Sequence, residues 1–246
     1  MSSTEIQNAA EIIRLSKHCM AFTGAGVSVE SGIPPFRGEN SIWSRYDPSL
    51  LELRYFKSHP ETCWPVIKEI FYDFFGKAKP NAAHYALAKL EQDGIIRALV
   101  TQNIDNLHQE AGSREVYEFH GNSQRLVCLQ CDFHEMAAEA DLSVLPLYCP
   151  KCGGLMKPDF IFFGEQIPEK AYQLSMGAAR KSDVCIVVGS TGEVMPAALI
   201  PAEAKRSGAV IIEINPEESL FTRDITDIHL RGKASEIFGL LNQYLK

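Results

Sequence analysis

The sequence predicts an α/β fold built on a parallel sheet with helices on both faces, into which a helical insertion and a metal-binding module are set. Three observations carry this. Residues 98–100, 183–189 and 208–215 are short, nearly continuous apolar runs separated by helical patterns, as expected of strands buried on both faces. The runs open into small or polar residues (Thr101-Gln102-Asn103, Gly189-Ser190-Thr191, Asn215-Pro216), at the strand ends where such sheets place ligands. Cys128-x-x-Cys131, 17 intervening residues and Cys149-x-x-Cys152 interrupt the alternation with four potential metal ligands. With 246 residues, 46% hydrophobic, the chain can bury one main domain with an insertion. A formal charge of −7 gives no electrostatic case for direct nucleic-acid binding.

In chain order, residues 1–18 read as an amphipathic helix with Ile6, Ala9, Ala10, Ile13 and Leu15 near one face. They contain no uninterrupted apolar h-region or cleavage signal, and no later run is long enough to span a bilayer. The expectation is a soluble, cytoplasmic protein without membrane contact, whose paired cysteines bind metal rather than form disulfides. Residues 19–23 form a buried strand that runs into Gly24-Ala25-Gly26-Val27-Ser28. Strand, glycine turn, then helix is how a Rossmann-type fold approaches a pyrophosphate: glycines admit close backbone approach, and the helix N-terminus favours negative charge. Two glycines alone serve a tight turn equally well. Val29 stands where the dehydrogenase G-x-G-x-x-G has its third glycine, and no strand with a terminal acid comes after it at the usual distance, which disfavours an ordinary NAD dehydrogenase. The chain continues instead into Ile33-Pro34-Pro35-Phe36-Arg37-Gly38, a stiff turn carrying an aromatic and a guanidinium. Residues 42–93 read as helical, punctuated by Pro48, Pro60, Pro65 and Pro80. Ile67, Ile70, Phe71, Phe74 and Phe75 fall at helical spacing and read first as core. Asn81 starts a helix continuing over 85–92, with His84 structural at its start, before a strand over 95–101.

Residues 101–105 then place Thr101, Gln102, Asn103, Ile104 and Asp105 where a helix should begin, and a short strand over 116–119 delivers His120 beside Gly121. Taken singly, Asp105 is a helix cap and His120 a loop residue. Together, two strand ends present an amide, a carboxylate and an imidazole. Cys128, Cys131, Cys149 and Cys152 complete a tetrahedral shell around Zn²⁺, which leaves no open position and makes the ion structural. Too few apolar residues surround them to order the segment, so metal binding is expected to supply its folding free energy. Cys19, Cys63 and Cys185 lie in apolar contexts as inert core residues. Residues 157–165 read as a strand that returns the chain to the sheet. After it come the 183–189 strand, a helix over 196–207, the 208–215 strand, a strand over 227–231, Gly232-Lys233-Ala234 and a closing helix.

GAGVS at 24–28, IPPFRG at 33–38, TQNIDNLH at 101–108, FHGN at 119–122, the double C-x-x-C and FFGE at 162–165 stand in the order seen in the sirtuin (Sir2) family, which the chain resembles over roughly residues 12–241. The resemblance implies a Rossmann-like large domain over approximately 1–38, 94–122 and 158–246. It implies a small domain made of a helical insertion (approximately 39–93) and a zinc module (approximately 123–157). It also implies an NAD-dependent protein-lysine deacylase, a deacetylase also suited to longer acyl chains, that transfers the acyl group to ADP-ribose and releases nicotinamide. The partner is an acylated-lysine protein or peptide, and the expected state is a monomer. By the same resemblance, Gly24, Ala25, Gly26 and Ser28, with Gly189, Ser190 and Thr191, hold diphosphate and ribose, while Asn215 and Ala234 bracket the adenosine end. Phe36 and Arg37 shield the reacting ribose. Asp105 and the Ile104 backbone grip the nicotinamide carboxamide, and Gln102 and Asn103 position the nicotinamide ribose. His120 is the general base for the ribose hydroxyl, a task suited to a side chain titrating near neutrality. Phe162, Phe163 and Gly164 pair with the peptide by strand addition.

The chain departs from the family pattern in three places. Pro35 stands where Asp is commoner, and Ser190-Thr191 reverses the usual Thr-Ser order while keeping a hydroxyl pair. The Tyr-x-x-Arg pair of succinyl- and malonyl-preferring members has no equivalent at 68–71, so no carboxylate clamp is expected. A SIW-x-x-YDP run at 41–48 resembles members that prefer long acyl chains, which makes Ile67, Ile70, Phe71 and Phe74 a candidate acyl pocket alongside the core reading. Two other functions use the same motifs. An ADP-ribosyltransferase or NAD glycohydrolase would release nicotinamide without acylated peptide, and a non-enzymatic NAD sensor has no need of Asn103, Asp105 and His120 together.

Overall fold

The computed structural model describes residues 3–36 and 41–245, so Arg37 and Gly38 of the expected loop lie outside the described residues. Helix α1 (Ser3–Leu15) buries Ile6, Ala9, Ala10 and Ile13. Leu15, expected on that face, is exposed. It lies two residues past Ile13, a rotation of roughly 200° about the helix axis. Strand β1 (Cys19–Thr23) is buried throughout and leads into a 3₁₀ helix, Ala25–Ser31, in place of the α-helix expected there. The proline-rich insertion breaks into short pieces: 3₁₀ turns Ile42–Ser44 and Pro48–Leu51, α2 (Leu53–Ser58), α3 (Pro60–Ile67), a π-helical stretch Lys68–Phe74 and a turn Phe75–Lys77. Helix α4 (Ala82–Gln92) is capped by Asn81, whose side-chain oxygen accepts from the Ala83 and His84 amides while its own N–H donates to His84 Nδ1.

The remaining elements are β2 (Ile96–Thr101), α5 (Leu107–Glu110), β3 (Val116–Glu118), β4 (Gly121–Cys128), β5 (His134–Met136), β6 (Met156–Phe160), α6 (Glu169–Lys181), β7 (Val184–Val188), α7 (Leu199–Arg206), β8 (Val210–Asn215), α8 (Leu220–Asp224), β9 (Ile228–Arg231) and α9 (Ala234–Leu241). Six parallel strands form one sheet in the order β3-β2-β1-β7-β8-β9. One face is covered by α1, α4 and α9 through a core that includes Ile13, Leu87, Ile186, Ile212 and Phe238. The other is covered by α6 and α7 through Phe22, Met176, Val187 and Ile200. From the central pair β1 and β7 the strand order runs outward in opposite directions, which opens a crevice at their carboxyl ends.

A second, antiparallel sheet has the order β5-β4-β6. The 157–165 segment does not return to the parallel sheet as expected. Its first part, β6, pairs with β4 (Leu126 with Pro158, Val127 with Lys157), and residues 161–165 run on as a loop. Pro158 explains the placement, because a residue without an N–H suits an edge strand and not the middle of a parallel sheet. The cysteine module also has more apolar support than the sequence suggests. Leu126, Ala137, Cys149 and Met156 are buried in a third core with Phe56, Trp64, Phe160 and Phe162.

Candidate functional site

The crevice at the ends of β1, β2, β7 and β8 is a cavity of about 550 Å³, within the usual range for small-molecule sites. It brings together Gly24, Ala25, Gly26, Phe36, Gln102, Asn103, Ile104, His120, Phe162, Phe163, Gly164, Gly189, Ser190, Thr191 and Asn215. Three expected residues do not line it. Ser28 and Asp105 sit behind the wall, and Ala234 is packed into the core at the start of α9. Sequence reading missed Leu51, Phe160 and Ile167, which also line the cavity but carry no side-chain polar group to mark them, and it named Trp43, likewise in the lining, only within the 41–48 run.

The glycines act here through close approach. The Gly24 and Gly26 amides donate to the carbonyls of Val188 (3.0 Å) and Gly189 (2.9 Å). A Cβ on Gly26 would stand 2.6 Å from Gly189 Cα, and one on Gly189 (φ 61°) would stand 2.4 Å from Val27 N. Only glycine lets the two loops touch.

A polar web backs the cavity. Asn103 Nδ2 donates to the Gly24 carbonyl (3.2 Å) and to Ser28 Oγ (3.1 Å), and Ser28 Oγ donates to Asp105 Oδ2 (2.7 Å). Because His84 Nδ1 accepts from the Asn81 amide, its Nε2 carries the proton toward Ser28 Oγ (3.4 Å). Burial holds His84 neutral, with its pKa pushed down to about 4. Burial also raises the Asp105 carboxyl, against hydrogen bonds from Ser28 and the Leu107 amide. Gln102 Nε2 donates to Ser190 Oγ (2.9 Å), and Asn215 Nδ2 to the Ser190 carbonyl (2.9 Å), so β2 and β8 both fix the Ser190 loop.

His120 Nδ1 lies 3.1 Å from the Gln102 carbonyl. A carbonyl only accepts, so Nδ1 carries the proton and Nε2 keeps its lone pair. Burial pulls the imidazole below its ordinary pKa, opposed by the Gln102 bond. The arrangement is a neutral base of fixed tautomer in a cavity wall.

Beside it, the backbone of the expected peptide edge is already partly engaged. Phe163 N–H donates to the Leu51 carbonyl (2.8 Å) and its C=O accepts from the Leu53 amide (3.1 Å). Phe162 N–H donates to Glu165 Oε2 (2.7 Å), and its C=O accepts from the Glu165 amide (2.9 Å). Gly164, at φ 89°, is the position of the three that no such bond engages among the described residues.

The stripe considered as an acyl pocket is divided. Ile67 is core, Ile70 and Phe74 line a second cavity of about 630 Å³, and Phe71 lines the crevice. The stretch is π-helical, and the wider turn rotates successive side chains away from the α-helical stripe.

The Sγ atoms of Cys128, Cys131, Cys149 and Cys152 all lie within 4.8 Å of one another, with Cys128–Cys152 at 3.5 Å and Cys131–Cys149 at 3.7 Å. A tetrahedral Zn–S₄ shell requires S–S distances of about 3.8 Å. The amides of Gln130 and Gly154 point at Cys128 and Cys152 Sγ (3.3 and 3.4 Å), as donors to thiolates do. The four cysteines fit a structural zinc ion.

The Sir2 family profile matches residues 24–196. An NAD-dependent protein deacylase of Pyrococcus furiosus is 45% identical over 243 residues, 96% of this chain and 96% of its own length. Among solved structures, a Sir2 homologue mutant in complex with ADP ribose superposes with a TM-score of 0.92 at 40% identity, covering 97% of this chain and 95% of that one. A Sir2–p53 peptide–NAD⁺ complex superposes at 0.87 and 34% identity, covering 97% of both. The profile spans the touching glycine loops, the 102–105 run, His120 and all four cysteines, and the likeness extends along almost the whole chain. By sequence and by fold, the chain belongs to the Sir2 family.

Proposed function

We propose that this chain is an NAD-dependent protein-lysine deacylase that moves an acyl group from lysine to ADP-ribose and releases nicotinamide. The observation that carries the reading is the meeting, in one crevice, of a neutral His120 with Gln102, Asn103 and the Gly189-Ser190 loop. The deacylase name of the Pyrococcus furiosus relative and the peptide and NAD⁺ of the solved Sir2 complex support it. Bound NAD⁺ supplies the ribose carbon that accepts the acyl oxygen and the nicotinamide that departs.

The chain's own residues hold and deprotonate. His120 Nε2 takes the proton of the attacking ribose hydroxyl while Nδ1–H stays on Gln102. Asn103, held by Gly24 and Ser28, and Gln102, held by Ser190, set the nicotinamide ribose. The Ile104 backbone takes the carboxamide, and Asp105, behind the wall and held by Ser28 and the Leu107 amide, supports that turn. Gly24, Ala25, Gly26, Gly189, Ser190 and Thr191 take the diphosphate and its ribose, with Ser28 supporting them from behind the wall through Asn103. Asn215 takes the adenosine end with Ala234 packed behind, and Phe36 with Arg37 covers the reacting centre. Gly164 receives the peptide backbone, with Phe162 and Phe163 as walls. Cys128, Cys131, Cys149 and Cys152 hold zinc away from the chemistry, and thiols gathered as metal ligands suit a cytoplasmic protein.

The apolar part of this crevice suits uncharged acyl chains: Phe36, Trp43, Leu51, Phe71 and Phe160 line it, with no lysine or arginine among the crevice's described lining residues. The test is a mass-spectrometric time course with NAD⁺ and one lysine peptide carrying acetyl, butyryl, succinyl or myristoyl groups. Expected is NAD⁺-dependent removal of the uncharged groups, slow or absent removal of succinyl, and loss of all activity in His120→Ala. Nicotinamide release without peptide, and no deacylation, would move the assignment to a glycohydrolase or transferase.

A further inference from the structure

Lysine is the residue least expected in a core, because burying an ammonium costs several kcal/mol unless oxygen atoms replace the lost water. Lys157, in the run Lys157-Pro158-Asp159-Phe160-Ile161-Phe162-Phe163-Gly164-Glu165, is nevertheless 3% exposed. Its Nζ donates to the carbonyls of Phe160 (2.7 Å) and Pro158 (2.9 Å) and meets Glu165 Oε2 at 3.0 Å, standing 4.6 Å over the Phe162 ring centroid. The same Glu165 oxygen accepts the Phe162 amide at 2.7 Å. Burial draws the Lys157 pKa down while Glu165 draws it back up.

These contacts tie one segment to itself at four points. The segment starts as β6, touches the His120 loop through the Ile161 amide on the His120 carbonyl (2.8 Å), crosses to residues 51–53 through Phe163, and ends at Gly164. Left alone, a loop after an edge strand with a glycine at positive φ has many conformations. A single buried cation that gathers two carbonyls and a carboxylate selects one of them.

We propose that Lys157, clamped by Glu165, is a positioning residue for the acyl-lysine substrate, holding residues 161–164 so that the Gly164 backbone and the Phe162 wall meet the incoming peptide. The inference rests on the deacylase reading above. Lys157 reaches none of the residues assigned to NAD⁺, so its effect separates by ligand: peptide recognition depends on it and cofactor binding does not.

The experiment compares wild type, Lys157→Met, Lys157→Arg and Glu165→Gln, all zinc-loaded. Steady-state KM is measured for an acetyl-lysine peptide, and NAD⁺ affinity by calorimetry without peptide. Expected is a rise in peptide KM of about tenfold in Lys157→Met, with NAD⁺ affinity within about twofold of wild type and substantial recovery in Lys157→Arg, whose guanidinium can still reach several oxygens. Unchanged peptide KM, or peptide and NAD⁺ affinities weakening together with the melting temperature, overturns the proposal by reducing Lys157 to a general stability element. If Lys157→Met does not fold, Glu165→Gln decides: a peptide-only rise of about threefold supports the clamp, and no rise overturns it. The wild type run alongside keeps the two readings apart. Failure of the wild type to deacylate removes the functional assignment, whereas an active wild type with insensitive variants removes only this inference.

Discussion

A histidine that serves as a base must be neutral when the substrate arrives, and two opposed influences set the protonation of His120, the proposed base. Burial disfavours the imidazolium and lowers the pKa, and the Gln102 carbonyl on Nδ1 partly restores it. The net direction is down, so the neutral form persists to lower pH than in a free histidine. The acid limb of kcat/KM for deacylation is therefore expected below the ordinary histidine value of about 6.5, where protonation of Nε2 removes the base. A pH profile of kcat/KM at saturating NAD⁺ checks this, and a limb centred above about 7 would mean that another group controls the reaction. His120 was legible in the sequence because a histidine and glycine directly after a short strand put an imidazole at a sheet edge. Its tautomer was not, because the partner is a backbone carbonyl 18 residues away. Lys157 was illegible for a related reason. Its partners are two backbone carbonyls and a carboxylate eight residues on, and a lysine opening an apolar run reads as the exposed end of a strand.

Among the elements, the antiparallel sheet and the cysteine cluster depend on each other. Cys128 ends β4, and Cys149 and Cys152 precede β6, so the metal shell clamps the hairpin-like ends of the small sheet. Cys149 is also buried in the core that holds Trp64, Phe160 and Phe162, whereas the cores on the two faces of the parallel sheet contain none of the four. Removing zinc is thus expected to release the module and loosen the peptide-side wall, and to leave β1, β2, β7 and β8 protected. Structural zinc sites contribute on the order of 10 kcal/mol of apparent binding free energy, enough to decide whether such a module folds. Hydrogen exchange before and after chelation, with metal counted by mass spectrometry, should show one zinc lost per chain and protection lost over residues 124–136 and 147–157. Uniform loss across the parallel sheet would show that the zinc holds the whole fold. The strands with continuous apolar runs were readable for the same reason that they stay protected, burial on both faces. By contrast, α6 escaped notice because Met176 is the one large apolar residue among its buried positions, the others being Ser175 and Ala179, too few to make an apolar stripe. The 157–165 run misled because its aromatic residues pack a loop against the insertion instead of a strand against helices.

For the molecule as a whole, a chain of formal charge −7 binds a diphosphate-bearing cofactor, and no lysine or arginine is among the described residues lining the crevice. In the proposed placement, the groups that would meet the anion are the backbone of two touching glycine loops and the hydroxyls of Ser190 and Thr191 at the ends of β1 and β7. Such dipoles act at contact range and carry no net charge, so a screening atmosphere with a Debye length of about 10 Å at 0.1 M salt does little to them. What salt does screen is the long-range repulsion between an acidic protein and an anionic ligand. The affinity for NAD⁺ is therefore expected to stay within about twofold, or to strengthen slightly, as NaCl is raised from about 50 to 400 mM. Calorimetric titration without peptide measures this directly. A several-fold weakening would mean that a cation carries the binding. Arg37 is the candidate, since it is the one cation assigned to the cofactor, and the dependence should then vanish in Arg37→Met. If the weakening persists in that variant, the diphosphate lies against a basic surface outside the crevice, and the placement of the cofactor between the Gly24 and Gly189 loops is wrong.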